Sequence, residues 1–494
     1  MALPKKIKRK HFLKLSLWSS AAYYLNSCGL GNDNPQKGKT KTDSLLKDSV
    51  PFAPSQKKLK PTFKLLKKYS TEYEVLRKGF NRRIDKFPAV IAQCTSTEEV
   101  AEAVFYGVQN KLPITIKSGG HSFEGFSSNN DGLMIDLSKM NSIQWENENT
   151  IIAQPASKLH ELYDNIFPKN KILPAGSCGN VALGGLTLGG GYGLFSRKYG
   201  LTCDSLEEIT MVDGKGNIIN SKKDTELLWA CKGGGNGNFG VITSMKFVLN
   251  EAPEFLQSFR FKVNNVNVKR AKAILQKWFS ASAYLPPSCF SSFVLNGKSL
   301  YILLTDCEKQ TTQTQNIIAQ LSAVVDRTEK GKPTVLLKAV KVFYGEKNPI
   351  YFKNASAGLY QNFEDIKGII ENVLEKVTAT PDMIYQVNTL GGKIDDPEFA
   401  KKSSWSHRGE QYLSELQTYW RHPSQSDKML KAFEEVQKIF RTNGISKQYR
   451  NYPDINLQNW ESAYYGENYK RLQNVKRKYD PDNIFRYEQS IRID

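Results

Sequence analysis

The chain has 494 residues, 40% of them hydrophobic, with 25 phenylalanines and 23 tyrosines; this is enough for a large core and two or three domains, and excludes a tail or a repeat array. Lysine and arginine total 69 against 49 aspartates and glutamates, a formal charge of +20. The basic residues are spread along the whole length with no nucleic-acid motif gathering them, which argues against a nucleic-acid partner.

The N-terminus reads as a targeting segment. Met1 to Lys10 is strongly basic, and Phe12 to Leu25 is apolar but, at about 14 residues, shorter than the ~20 needed to span a bilayer. Leu25-Asn26-Ser27-Cys28-Gly29 resembles a bacterial lipoprotein cleavage box, which makes residues 1–28 a signal peptide and Cys28 a lipidated first mature residue. Arg9-Lys10-His11-Phe12-Leu13-Lys14 is similar to a twin-arginine export signal with one arginine replaced by lysine. An ordinary secretory signal with a chance cysteine is the alternative. Residues 29–68, rich in Asn, Lys, Ser, Asp and Pro, read as a disordered tether closed by lysines 57, 58, 60, 64, 67 and 68. That charge run is a solvated face or, alternatively, a rest for anionic headgroups.

Residues 69–250 form the first folded block. The apolar run Ala89–Ala92 and a helix opened by Thr97-Glu98-Glu99 with valines at 100, 104 and 108 come first. Strands at Pro113–Ile116 and Leu133–Leu137 complete an α/β pattern. The first of these delivers the chain into Ser118-Gly119-Gly120-His121-Ser122-Phe123-Glu124-Gly125, a loop whose backbone N–H groups suit a pyrophosphate. A second glycine cluster, Pro174 to Gly193, offers one thiol, Cys178, followed by backbone bare enough for a flat ligand to lie against it. Together the two stretches predict a site for one flavin. Gly233 to Gly240 contains a literal G-x-G-x-x-G, but it follows a helix-like segment and opens the β-branched run Val241–Val248. That order is the reverse of a dinucleotide-binding unit, so a nicotinamide cofactor is rejected.

Residues 251–445 change character. Helical stripes at Ala271, Ile274, Leu275, Trp278 and Phe279, and again from Met429 to Phe440, flank strands such as Leu300–Leu304. An antiparallel sheet covered by helices on one side is expected, its other face free to roof the flavin. In Tyr412–Trp420, period-two alternation puts Leu413, Glu415, Gln417 and Tyr419 on one face. A carboxylate in mid-strand is either solvated or aimed at chemistry.

Residues 446–494 return to the first block and carry the last motif, Gln448-Tyr449-Arg450-Asn451-Tyr452-Pro453-Asp454. With Lys117-Ser118-Gly119-Gly120-His121-Ser122, Pro174 to Cys178, and Trp460 to Gln489, this resembles the berberine-bridge-enzyme-like FAD-linked oxidases of the vanillyl-alcohol-oxidase superfamily over nearly the whole chain after the tether. The resemblance implies an α+β fold: a two-part PCMH-type FAD-binding domain plus a substrate domain with an antiparallel sheet covered by helices, and a strand at the Tyr-x-Asn-Tyr-x-Asp motif.

It also implies FAD held bicovalently through His121 and Cys178, with further contacts from Lys117, Ser118, Gly119, Gly120, Ser122 and Gly125 of the first loop. From the second stretch come Gly176, Val181, Gly184, Gly185, Gly189, Gly190, Tyr192 and Gly193, and beyond it Gly240, Val241, Asn451 and Tyr452. Lys117 stands where the family has arginine, so it serves a phosphate as a point charge without a bidentate contact. Gly179-Asn180 replaces the common Pro-Thr and leaves the stiffness of the thiol loop open. Val181 occupies the position that, in the family, governs access of dioxygen, and its size favours an oxidase. Tyr449 or Glu415, with Gln417 beside it, is the expected base, Tyr449 through a lowered phenol pKa.

The function expected is oxidation of an alcohol or sugar hemiacetal carbon by hydride transfer to FAD, with dioxygen as acceptor and hydrogen peroxide as product. The alternatives are a dehydrogenase passing electrons to a quinone or protein, and a non-catalytic glycan-binding surface flavoprotein. No metal site is expected, and oligomeric state is left open. Of 7 cysteines, setting aside Cys28 and Cys178 leaves an odd number, so at least one stays unpaired within the chain.

Overall fold

The computed structural model describes residues 61–493. The expected signal peptide, Cys28 and the expected tether up to residue 60 lie outside the described residues. Folded structure begins earlier than residue 69. β1 (Lys64–Lys67) pairs antiparallel with β2 (Val90–Gln93), with Phe63 and Leu65 packed on one apolar cluster and Leu66 on another. Three apolar residues among the lysines suffice for an edge strand, which composition averaged away.

β3 (Ile114–Lys117) and β4 (Leu133–Asp136) complete the first sheet, in the order β1-β2-β4-β3, with β2, β4 and β3 parallel. The crossover is the expected helix, Thr97–Gln109, capped by Ser96 Oγ accepting from Glu99 N at 3.2 Å. Val100 and Val104 face the sheet while Val108 turns out to solvent. The second sheet takes β5 (Ile143–Asn147), β6 (Thr150–Ala153), β8 (Leu206–Val212), β9 (Ile218–Asn220) and β10 (Val241–Val248), with β10 in its centre. The intervening β7 (Lys171–Ile172) pairs with β11 (Asn250–Glu251). The glycine turn at 233–240 does open a strand, as its reversed context required.

The substrate domain is a seven-stranded antiparallel sheet made of β12 (Gln257–Val263), β13 (Cys289–Asn296), β14 (Ser299–Asp306), β15 (Arg327–Lys330), β16 (Tyr351–Tyr360), β17 (Met383–Thr389) and β18 (Tyr412–Trp420). Helices Val268–Ser282, Ile370–Ala379 and Ser426–Thr442 cover one face through a core that includes Trp278, Phe293, Leu416 and Phe440. The other face shares a core with the second sheet, through Phe290, Leu303 and Leu413. Alternation along β18 therefore sends Leu416 to the helices and Glu415 and Gln417 the other way.

The C-terminal segment folds back on the FAD-binding part, where Gly214 N donates to Tyr479 O at 2.8 Å and Ile114 bridges to Phe485. Residues 448–454 form a turn instead of the strand that the motif implied. Tyr452 N closes on Tyr449 O at 2.9 Å, and Pro453 has no N–H to continue a ladder. All six cysteines among the described residues are free thiols.

A buried ion cluster fastens the three parts. Lys353 of β16 donates to Glu124, at the end of the His121 loop, and to Asp454 Oδ1 at 2.8 Å. Arg83 Nη2 binds the second oxygen of Glu124 at 2.5 Å, and Arg441 Nη1 lies 3.6 Å from Asp454. Removing one partner of such a group strands the others without solvation. Lys353→Met is expected to lower unfolding stability by about 3–5 kcal/mol, read from the shift in urea midpoint; an unchanged midpoint would show the cluster to be dispensable.

Candidate active site

The three parts enclose a cavity of about 380 Å³. Its floor is built by the two glycine stretches, which pack closely on each other and on Pro155 because their glycines lack Cβ atoms. A Cβ on Gly119 would sit 2.7 Å from Ala182 Cβ, and one on Gly184 2.9 Å from Pro155 Cβ. Gly185 has nothing within 4 Å on its Cβ side, so the open space starts at bare main chain. Ser118, Gly119, Gly120, His121 and Ser122 from the first stretch line the cavity, as do Gly176, Cys178, Val181, Gly184, Gly185, Tyr192 and Gly193 from the second, with Gly240, Asn451 and Tyr452.

His121 is stacked under Phe80, with ring centroids 4.3 Å apart and planes 18° off parallel. Burial, helped by the charge of Lys158, lowers its pKa to about 4, so the imidazole is neutral at physiological pH. Burial pushes the Cys178 thiol up to about 11; the Glu415 charge adds to this and a hydrogen bond from Ser177 opposes it. The Gly179-Asn180 departure is pinned from the substrate domain: Gly179 N donates to Tyr344 O at 3.0 Å and Asn180 Nδ2 to Lys347 O at 3.1 Å. A Cβ at 179 would press on the Tyr344 ring at 2.8 Å.

The roof is the free face of the large sheet. On β18, Gln417 Nε2 donates to Glu415 Oε2 at 2.9 Å, and Tyr419 Oη donates to Gln417 Oε1 at 3.0 Å. Asn354 Nδ2 on β16 donates in turn to Tyr419 Oη at 2.8 Å, so one directed chain of hydrogen bonds ends on the carboxylate. Burial raises the Glu415 pKa to about 8, against a lowering by Gln417. Gln386, Asn388 and Ser292 extend this polar roof on the neighbouring strands. They were missed in the sequence, although polar residues at alternate places in an apolar strand were a usable signal. Tyr344, on a loop, gave none.

Several expected contacts do not reach the cavity. Lys117 is withdrawn into an ion pair with Asp136 at 3.4 Å and a bond to Leu76 O, because β3 and β4 put the two residues side by side; it is not a phosphate ligand. Gly125 is needed for its φ of +71° and its contact with Ile84. Gly189 makes room for Asn451, and Gly190, at φ +116°, for the Trp405 ring. Val241 packs in the core of the first sheet.

Tyr449 is the main correction. Its hydroxyl accepts from Gly191 N and Asn451 Nδ2, both at 3.1 Å, and burial holds its phenol well above the ordinary range. The turn at 449–452 leaves Tyr449 packed behind the wall and presents Tyr452 on it. A base with a lowered pKa is therefore not found at Tyr449.

The cavity fits a large polar cofactor together with a substrate. Thr115, Asn236, Ser292, Tyr344 and Asn354 are among the lining residues, and each keeps a buried side-chain oxygen without a hydrogen-bond partner, a condition that native proteins rarely leave unanswered. Fold and site together define a flavin-dependent oxidoreductase. Residues 88–222 match the FAD binding domain family, and residues 448–492 match the family described as berberine and berberine like. The uncharacterized FAD-linked oxidoreductase YgaK of Bacillus subtilis is 30% identical over 88% of this chain and 98% of its own length. A chitooligosaccharide oxidase of Gibberella zeae is 27% identical over 84% of this chain and 89% of its own. Among solved structures, wild-type BBE-like 1 of Physcomitrella patens superposes with a TM-score of 0.80 at 21% identity, over 88% of this chain and 98% of that one. The chain belongs to the berberine-bridge-enzyme-like FAD-linked oxidoreductases.

Glu415 also makes a thermodynamic mark. Its folded pKa of about 8 lies above its ordinary value of 4.5, so its contribution to stability is full below about 4.5 and is lost as pH rises through 8. Between pH 5 and pH 9 the unfolding free energy of the unsubstituted protein should fall relative to that of Glu415→Gln by about a few kcal/mol, measured as paired urea midpoints. Parallel curves would contradict the placement of this carboxylate.

Proposed function

We propose that this chain is an oxidase that removes a hydride from the hemiacetal carbon of an oligosaccharide, with FAD held through both His121 and Cys178, dioxygen as acceptor and hydrogen peroxide as product. The observation that carries this reading is a buried carboxylate, Glu415, on the roof of the cavity that His121 and Cys178 also line. Bound FAD supplies the hydride acceptor; the protein positions the donor carbon and takes the hydroxyl proton.

Glu415, half ionised near pH 8, is the proton acceptor, and Gln417 holds its second oxygen, with Tyr419 and Asn354 fixing the amide's orientation. Tyr452 faces the same space, and the Glu415 charge helps keep its phenol protonated, after burial, as a donor to the substrate oxygen. The amides of Asn354, Gln386, Asn388 and Gln417, set against Tyr192, Phe290 and Tyr344, match the polar rims and apolar faces of sugar rings. The activity named for the Gibberella relative agrees with that class. A neutral His121 keeps a ring-nitrogen lone pair for a bond to the flavin.

One preparation tests the reading. Unfolded in acid, the protein should retain its yellow colour and weigh one FAD more than the bare chain. His121→Ala and Cys178→Ala should each keep the flavin, and the double substitution should release it. Chito-, cello- and xylo-oligosaccharides should bleach the flavin under argon, with peroxide formed on re-aeration. The bleaching rate should rise with pH around 8 and fall about a hundredfold or more in Glu415→Gln. Bleaching without peroxide would reject the oxidase, and no bleaching by any sugar would reject the substrate class.

The same proposal places the enzyme outside the cytoplasm on a lipid at Cys28, a reading that rests on residues 1–28 alone. In the full chain expressed in a bacterium, Cys28→Ser should move the protein from the membrane to the soluble fraction and abolish palmitate labelling. Unchanged partition would reject the anchor.

A further inference from the structure

We propose that Arg450 is the cation that binds the pyrophosphate of FAD. With Lys117 withdrawn to Asp136, the phosphate groups lose the partner that the sequence offered them. Among the described residues that line the cavity, Arg450 is the single lysine or arginine. It is 4% exposed, yet among the described residues no carboxylate pairs with it.

Its hydrogen bonds go to neutral hydroxyls: Nε donates to Tyr465 Oη at 3.0 Å and Nη2 to Tyr487 Oη at 2.8 Å. The rest of its shell is aromatic, with the guanidinium carbon 5.5 Å from the ring centroids of Phe126, Tyr464 and Tyr487. Buried Lys353, Lys476 and Arg408 are matched by carboxylates, Glu124 and Asp454, Asp480, and Asp204, and buried Arg197, which lies off the cavity lining, donates to three backbone carbonyls. A guanidinium taken out of water is costly without an anion, and Arg450, held by hydroxyls alone, differs from Arg197 in lining the cavity, where a bound anion would meet it.

The surroundings point to where that anion lies. Phe126, under the guanidinium, closes the turn of the His121 loop. In that loop the N–H groups of Gly119, Gly120 and His121 make no hydrogen bond among the described residues, and Gly120 has a φ of +70°, which suits an anion-binding nest. On the other side, Tyr487 Oη, which Arg450 holds, donates to Asn236 O at 3.0 Å, and Asn236 and Gly237 line the cavity. The planar fork of arginine can bridge two phosphate oxygens where a lysine would give a point contact. Its tyrosine bonds and stacked rings fix the fork before the ligand arrives.

The proposal rests on the FAD reading of the cavity and is tested by binding. In a His121→Ala/Cys178→Ala background, where no covalent bond can mask affinity, FAD and riboflavin are titrated by fluorescence quenching at low and high salt. Arg450→Met should weaken FAD about 100-fold while changing riboflavin less than about threefold, and Arg450→Lys should recover part of the loss. The salt dependence of FAD binding should flatten in the Met variant. Equal weakening of FAD and riboflavin would make Arg450 a brace for its aromatic shell, and unchanged FAD affinity would remove it from the site; either overturns the proposal. If the Met variant fails to fold by circular dichroism, the Lys variant decides: it must lose FAD affinity selectively over riboflavin. A background protein that binds neither flavin would overturn the FAD reading itself, and this proposal with it.

Discussion

The ammonium of Lys353, closed between Glu124 and Asp454, is the contact on which the enclosure of the cavity depends. Glu124 ends the loop that carries His121, Asp454 follows Tyr452 by two residues, and Lys353 precedes Asn354 at the start of the roof's hydrogen-bond chain. Floor and roof meet here from segments 229 residues apart, roof and wall from segments 101 apart, and each brings a charge to one buried cluster. Low dielectric makes such a cluster intolerant of a missing member. The geometry between an imidazole on one part and a carboxylate on another is thereby held to a single arrangement.

Within that enclosure, removal from water acts on each titratable group in a direction set by its charge. It keeps His121 neutral, holds Cys178 and Tyr452 protonated, and lifts Glu415 to about 8. A carboxylate so poised can take a proton near neutral pH, and its ionised form is oriented by Gln417. Tyr449, one turn of chain away from Tyr452, shares the burial but spends its hydroxyl on Gly191 and Asn451; it shapes the glycine stretch and faces no substrate. The difference between the two tyrosines is one of direction alone.

The glycines divide in the same way. Gly119 lets the two loops touch, Gly184 and Gly193 fit against the backbone of Pro155 and Ala175, and Gly185 leaves main chain bare toward the cavity, whereas 125, 189 and 190 serve turns and packing behind it. Similar sequence density thus conceals two different uses. The lysine at 117 belongs with the second group, since the parallel register of β3 and β4 sets it against Asp136.

The class of fold was legible through the motifs that resemble a known family, and the two glycine-rich loops with their histidine and thiol, and the face of β18 that bears Glu415, Gln417 and Tyr419, were legible in the residues themselves. These are local properties: backbone freedom, side-chain type and a period of two survive without knowledge of any distant contact. Which tyrosine of a four-residue turn looks inward, where Lys117 finds its partner, and that Arg450 lacks an anion are decided by segments far apart in the chain. Only the tertiary structure settles these, because burial, ion pairing and line of sight depend on what the rest of the protein places around a residue.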